Sequence, residues 1–323
     1  MLLGFDIGGT KCAVILGKVA DNDELIIVNK RVIPTNKPVY EMIDLLFITA
    51  EYLLFEHHFN TGDLKGIGIS CGGPLSSKKG LILSPPNLIG WDRVPIVKMA
   101  EERFKVKTLL QNDANACAVA EWKYGAGKGI DNLIFLTFGT GMGAGLILNG
   151  RLYSGPSDLA GEVGHIRLSE TGPVGFGKAG SFEGYCSGGG IAQLGQIKAR
   201  EKLQVGQKVG FCNSIDQLPN ITAKTIAEAA LKGDEAAIDV YQTCATYLGR
   251  GLALLMDILN PEMIILGSIY GRVQQLLEPV MMEVIKKEAY HESVEACRIV
   301  PAGLHENIGD IAALSLALIS KDV

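Results

Sequence analysis

The chain has 323 residues, 47% hydrophobic and 20% charged, enough for two ordinary domains with a substantial core. Its net charge of −5 and lack of any basic run argue against a nucleic-acid partner, because backbone binding needs clustered Lys and Arg. No uninterrupted apolar run reaches membrane-spanning length, and Met1 leads straight into a strand, so neither a membrane helix nor a signal peptide is expected.

Leu2 to Gly17 (LLGFDIGGTKCAVILG) reads as a hairpin of two apolar strands around Gly8-Gly9. Glycines let backbone amides face an anion closely, Thr10 adds a hydroxyl, and Lys11 adds a cation. Asp6, at the strand end, suits a divalent metal held directly or through water. Taken alone, the stretch also fits an ordinary hairpin. A third strand is expected over residues 24–33, closed by Pro34, and then a helix over 39–58. Met42, Ile43, Leu46, Phe47, Ala50, Leu53 and Leu54 give that helix a core-facing side, and His57 and His58 read as its solvated end. A strand at 64–70 leads into the turn Cys71-Gly72-Gly73-Pro74. Residues 84–91, with Asn87 and Trp91, form a rigid irregular loop of the kind that lines ligand sites. A helix at 94–104 and a strand at 106–110 precede Gln111-Asn112-Asp113-Ala114-Asn115, which opens a helix through Tyr124. That junction presents polar side chains at a strand's carboxyl end, where open α/β sheets place ligands. Asp113 would also serve as a plain helix cap.

The connector Gly125-Ala126-Gly127-Lys128-Gly129 then precedes a second glycine hairpin. Phe138 to Gly150 (FGTGMGAGLILNG) overlays Phe5 to Gly17 without a gap, placing Gly141 on Gly8 and Gly139 on Asp6. The pattern points to a duplicated α/β chain with phosphates held by both glycine turns, of which only the first offers a metal carboxylate. The expected domains are 1–124 with the terminal segment 306–323, and 125–305. Glu162 and His165 share a glycine-rich loop, and Ser181-Phe182-Glu183 opens a helix running to Ala199. Helices are expected over 221–231, 235–259 and 272–287, a strand over 262–266 before Gly267-Ser268, a last strand at 298–300 and a last helix at 309–319. The seven cysteines are scattered and never in CxxC spacing, which suits reduced thiols of a cytoplasmic protein.

Four pieces, DIGGTK at Asp6–Lys11, NDANA at Asn112–Ala116, GTGMGAG at Gly139–Gly145 and EVGH at Glu162–His165, resemble the ROK family of sugar kinases over nearly the whole chain. The resemblance implies two duplicated actin-like (ribonuclease H-like) domains with a cleft between them. It also implies ATP-dependent phosphorylation of a hexose hydroxyl, usually that on C6 of glucose or a close relative. Carried over by position, Asp113 looks like the general base, and Asn112, Glu162, His165 and Glu183 look like sugar ligands, with Asn87 a further one. Gly8, Gly9, Thr10, Lys11, Thr140 and Gly141 would hold the phosphates of ATP, Asp6 the Mg²⁺, and Gly267 and Ser268 the adenosine. Family members are often homodimers.

The chain departs from the family where a zinc site is commonly written CxCGxxGC. Here residues 174–181 read VGFGKAGS, so no zinc is expected, and Phe176 and Val174 are expected to pack that loop instead. Ser268-Ile269-Tyr270 is also poorer in glycine than the family pattern. N-acetylmannosamine and fructose stay open as substrates, as do allose and a β-glucoside. A sugar-sensing repressor of the same family is disfavoured by the acidic charge and by a first hairpin that begins at Met1. A Rossmann reading of Gly139 to Ala144 requires a helix to follow, where a strand is expected instead. A binding-only pseudokinase is disfavoured because Asp6, Lys11, Asp113, Glu162, His165 and Glu183 are all present.

Overall fold

The computed structural model describes residues 1–319; residues 320–323, the tail of the expected 306–323 segment, lie outside the described residues. The chain forms two compact units: Met1–Asp131 with Gly145–Ala160 and the segment from Gly303 on, and Asn132–Ala144 with Gly161–Ala302. In chain order the elements are strands β1 (Leu2–Ile7), β2 (Lys11–Val19) and β3 (Leu25–Pro34), helix α1 (Val39–Glu56), β4 (Gly66–Cys71), and the short pair β5 (Leu75–Ser76) and β6 (Leu81–Ile82). Helix α2 (Ile96–Phe104), β7 (Thr108–Asn112) and α3 (Asp113–Tyr124) follow. Next come β8 (Leu133–Leu136), β9 (Ala144–Leu148), β10 (Arg151–Leu152), β11 (Val174–Gly175), β12 (Lys178–Ala179), α4 (Phe182–Tyr185) and α5 (Gly188–Gln204). The chain continues with α6 (Ala223–Ala230), α7 (Glu235–Leu259), β13 (Met263–Leu266), α8 (Ile269–Glu288), α9 (His291–Ala296), β14 (Arg298–Pro301) and α10 (Ile308–Ile319).

Two five-stranded sheets share one plan. The first runs β3-β2-β1-β4-β7 and the second β10-β9-β8-β13-β14. In the first, β1 and β2 pair antiparallel from Leu2↔Gly17 to Ile7↔Cys12, while β4 and β7 extend the sheet in parallel. In the second, β13 lies parallel to both β8 and β14. The duplication suggested by the two glycine hairpins is thus repeated strand for strand in the sheet order. The second hairpin differs at its turn: β8 stops at Leu136, so Phe138 is buried in a longer loop and not in a strand as its overlay on Phe5 implies. The carbonyls of Phe138 and Gly139 accept from the amides of Ile269 and Gly188, which takes them away from any ladder.

Strand alternation builds the first unit's core. Leu3, Phe5 and Ile7 point to one face and pack with α1, whose seven expected core residues are all buried, and with Ile96, Ala100 and Phe104 of α2. Phe47 makes edge-to-face contacts with Phe5 (5.7 Å) and Phe104 (5.3 Å). Leu2, Ala13 and Ile15 point to the other face and meet Ala313, Leu314 and Ala317 of α10. His57, expected to be a solvated end, is half-buried, with its ring 2.9 Å from the Asn29 amide. Among the described residues no helix is long and apolar enough to cross a membrane.

Glu121, near the end of α3, escapes sequence reasoning because it looks like an ordinary helical acid. It is fully buried, and its carboxylate accepts three backbone N–H groups, from Ala126 (2.8 Å), Gly303 (3.0 Å) and Leu304 (2.9 Å). It thereby fastens the glycine connector and the entry to α10 onto one helix. Glu121→Ala strands all three donors and is expected to cost roughly 3–5 kcal/mol in urea unfolding. Glu121→Gln, which keeps one acceptor, is expected to cost clearly less, and equal losses in the two variants would contradict this role.

Candidate active site

Parallel pairing brings the carboxyl ends of β1, β4 and β7 level, with Asp6 opposite Ser70 and Cys71 opposite Asn112. The sites expected at residues 6 and 112–113 therefore meet at one edge of one sheet, the edge that binds ligands in α/β folds. At the end of β7 the Asn112 side chain caps α3, accepting the amides of Ala114 (3.0 Å) and Asn115 (3.5 Å). This leaves Asp113 without a capping duty beyond a bond from the Ala114 amide (2.8 Å). The Asn112 amide nitrogen lies beside Gly73.

Burial pushes the Asp6 carboxyl up to about 6, and the negative charges of Asp113 and Asp310 add to that rise against the pull of Lys30 and Lys11. Asp113 is open to solvent by area, yet the protein around it is dense enough that desolvation raises its carboxyl, opposed by backbone N–H donors. The buried Asp310 carboxylate is gripped by Lys30 at 2.6 Å. Sequence reasoning missed both Lys30 and Asp310. They are 280 positions apart and meet only because β3 and the first turn of α10 come together.

These residues fit a divalent cation. Among the described residues no three His, Cys, Asp or Glu side chains cluster as a self-sufficient metal site. Mg²⁺ bound with phosphates needs only one or two carboxylates, since phosphate oxygens and water complete its shell. Asp6, crowded by like charge and burial, is the oxygen ligand that such an ion would stabilise.

The Gly8-Gly9-Thr10 turn is closed by the Gly8 amide donating to the Lys11 carbonyl (3.2 Å), and Thr35 donates its hydroxyl to the Gly8 carbonyl (2.7 Å). Thr10 and Lys11 are exposed. Any side chain at position 9 would strike the Asn87 backbone, so the loop carrying Asn87 passes directly over this turn, with the Asn87 side chain exposed. The two stretches picked out separately in the sequence therefore touch.

The second unit gathers another set. Thr137 and Gly143 bridge the base of the turn holding Thr140 and Gly141, with the Gly143 amide donating to the Thr137 hydroxyl (2.8 Å). Glu183 accepts the Met142 amide (3.0 Å) and lies against Gly141 and Gly164. A Cβ at Gly161 would collide with the Ala144 carbonyl, and one at Gly164 with the Met142 carbonyl. The flanked residues Glu162 and His165 are thus pressed onto the same turn, with Glu162 exposed and His165 half-buried. Gly267 donates to the Leu136 carbonyl (2.9 Å), and Ser268, at φ 45°, starts α8 close to Gly139. The triglycine start of α5, Gly188 to Gly190, borders this turn too, a contact that helix periodicity does not announce. That helix was expected to run unbroken from Ser181; instead Ser181 and Ser187 cap two separate helices by accepting the Gly184 and Gly190 amides.

The 174–181 loop also differs from expectation. Val174 and Phe176 do not pack its interior: both are exposed, Val174 by 47% and Phe176 by 66%. The stretch 174–179 is a β11–β12 hairpin, and Ser181 supplies the buried side chain. The residues after Gly139-x-Gly-x-x-Ala form strand β9, not the helix that a dinucleotide fingerprint needs.

Two sheets of one order, each opening on a glycine-turned hairpin with acids or amides at its strand ends, define an actin-like ATPase fold. The chain belongs to the ROK family, whose profile matches residues 2–319. It is 34% identical to the glucokinase of Halalkalibacterium halodurans, over 86% of this chain and 83% of that protein. A solved ROK family glucokinase from Streptomyces griseus, in complex with glucose and AMPPNP, is 28% identical with a TM-score of 0.75, covering 98% of this chain and 99% of that one. The xylose repressor of Caldicellulosiruptor bescii is 29% identical over 90% of this chain and 71% of its own.

The Asp6 carboxyl sets a pH-dependent stability. Its folded value of about 6 lies above the ordinary 3.8, so the native state keeps a proton that the unfolded chain has already lost between these values. Stability contributed by this group is therefore lost as pH rises from about 4 to about 6. Without metal or nucleotide, Asp6→Asn is expected to unfold at a higher temperature than the parent at pH 7.5 and at a similar one at pH 4. A variant that is less stable than the parent at pH 7.5 would contradict this.

Proposed function

We propose that this chain is an ATP-dependent sugar kinase that transfers the γ-phosphoryl group to a hexose hydroxyl, the C6 hydroxyl of glucose being the first choice. The observation that carries this reading is the meeting of Asp6 and Asp113 at one sheet edge, beside a glycine turn whose Gly9 and Thr10 amides donate to no protein atom among the described residues. Asp113 is the general base: it accepts the hydroxyl proton as the sugar oxygen bonds to phosphorus and the bond to the ADP oxygen breaks. Desolvation raises its carboxyl, which makes it a better proton acceptor near neutral pH. Mg²⁺, held by Asp6, would supply charge neutralisation for the phosphates. The turns at Gly8, Gly9, Thr10, Lys11 and at Thr140, Gly141 position the phosphates, in keeping with a reaction where the protein mainly orients reactants and offsets charge. Gly267 and Ser268 take the adenosine side.

Asn87, Asn112, Glu162, His165 and Glu183 hold the sugar hydroxyls in this reading. Asn112 offers its amide nitrogen, because its oxygen caps α3. Names of relatives support glucose over N-acetylmannosamine or fructose. The presence of both Asp6 and Asp113 favours a catalyst over the sugar-sensing repressor that some relatives are named for. The sheet memberships favour domains of 1–124 with 306–323 and of 125–305, since each five-stranded sheet then falls within one domain. A cytoplasmic protein acting on small molecules, with a homodimer as its assembly, completes the proposal.

Asp113→Asn removes the base but keeps size and polarity. Turnover of glucose with ATP is expected to fall by ~10²–10⁴-fold while calorimetric glucose affinity stays within a few-fold. Near-normal turnover in that variant would contradict the assignment.

A further inference from the structure

The β11–β12 hairpin turns on two residues, Phe176 and Gly177, with φ of 45° and 75°. Two consecutive positive φ values are what a tight hairpin of this length needs, and Asn-Gly or Asp-Gly is its usual sequence. A bulky aromatic residue at positive φ is an outlier that costs backbone strain. Core burial does not account for it either, because Phe176 is 66% exposed. What its ring does touch is His165: the centroids are 5.0 Å apart and the planes stand at 84°, an edge-to-face pair.

The rest of the hairpin grips the same histidine by its backbone. Lys178 donates its ammonium to the His165 carbonyl at 2.7 Å, and the His165 amide donates to the Glu162 carbonyl at 3.2 Å. Arg167 reaches the Ala179 carbonyl (2.8 Å), and Phe182 donates its amide to the Ile166 carbonyl (2.8 Å). Main-chain atoms around residue 165 are thus fixed, while no side chain among the described residues hydrogen-bonds the imidazole nitrogens. Those nitrogens are free for a ligand, and Phe176 is the ring's lateral support. From this geometry we infer that Phe176 is a positioning residue: it holds the His165 imidazole in the orientation that selects one sugar hydroxyl. The inference rests on the reading of His165 as a sugar ligand given above.

The test uses the full chain with Phe176→Asn, which suits the turn, Phe176→Tyr, which keeps an aromatic ring, and His165→Gln as reference. Phe176→Asn is expected to raise the KM for glucose by roughly three- to tenfold, the range an aromatic pair is worth. The KM for ATP and kcat should stay within about twofold, Tm should not fall, and Phe176→Tyr should restore the parent KM. In proton spectra, the His165 ring resonances should move in Phe176→Asn and return in Phe176→Tyr, a readout that needs no turnover. An unchanged glucose KM with unmoved His165 resonances overturns the proposal, as does a loss spread evenly over glucose, ATP and Tm. If His165→Gln itself leaves the glucose KM unchanged, the sugar role of His165 fails and the proposal falls with it. If His165→Gln raises that KM and Phe176→Asn does not, the proposal alone fails.

Discussion

Two carboxylates held close together at the ends of parallel strands constrain the rest of this molecule. Asp6 is the penultimate residue of β1 and Asp113 follows β7, and the register of β1, β4 and β7 brings their strand ends level. Burial and the negative charges of Asp113 and Asp310 raise the proton affinity of Asp6, while desolvation raises that of Asp113. Lys11 and Lys30 offset part of that charge, and Asn112 takes the capping bonds that would otherwise occupy Asp113. That crowding is a cost for the folded chain, and a divalent cation beside Asp6 would offset it. Stability given up at a site and recovered on binding is common where function needs unsatisfied charge.

The second sheet repeats the strand order of the first without repeating the acid. In the ungapped sequence overlay Gly139 falls on Asp6, and the carbonyls of the enlarged turn are tied to the first residues of α5 and α8. Glu183 links that turn to the loop of Glu162 and His165 through a single backbone bond and close packing against two glycines.

Local patterns made much of this visible in the sequence. Short apolar runs on either side of Gly8-Gly9 gave the first hairpin, and the apolar stripe of 39–58 gave α1 with every expected core residue buried. The long helix Glu235–Leu259 was legible from its apolar face and from Asn260-Pro261, which stops it. Contacts distant in the chain were not legible. Nothing near Lys30 announces Asp310, and nothing near Glu121 announces the amides of Gly303 and Leu304. The break at Ser187 was hidden by glycines that read as helix interior, and Phe176 was misread because apolar residues default to the core in sequence reasoning. Motif spacing located Asp113, but its freedom from capping became visible only with the bonds of Asn112 in place.

The crowding of Asp6 and Asp113 can be read directly by following the carboxyl carbons of ¹³C-labelled aspartate through a pH titration, with and without Mg²⁺ and a non-hydrolysable ATP analogue. The account requires Asp6 to titrate near 6 in the free protein and to lose its proton at distinctly lower pH once metal and nucleotide are bound. An Asp6 that titrates near 4 in the free protein, or whose midpoint ignores the metal, would contradict it.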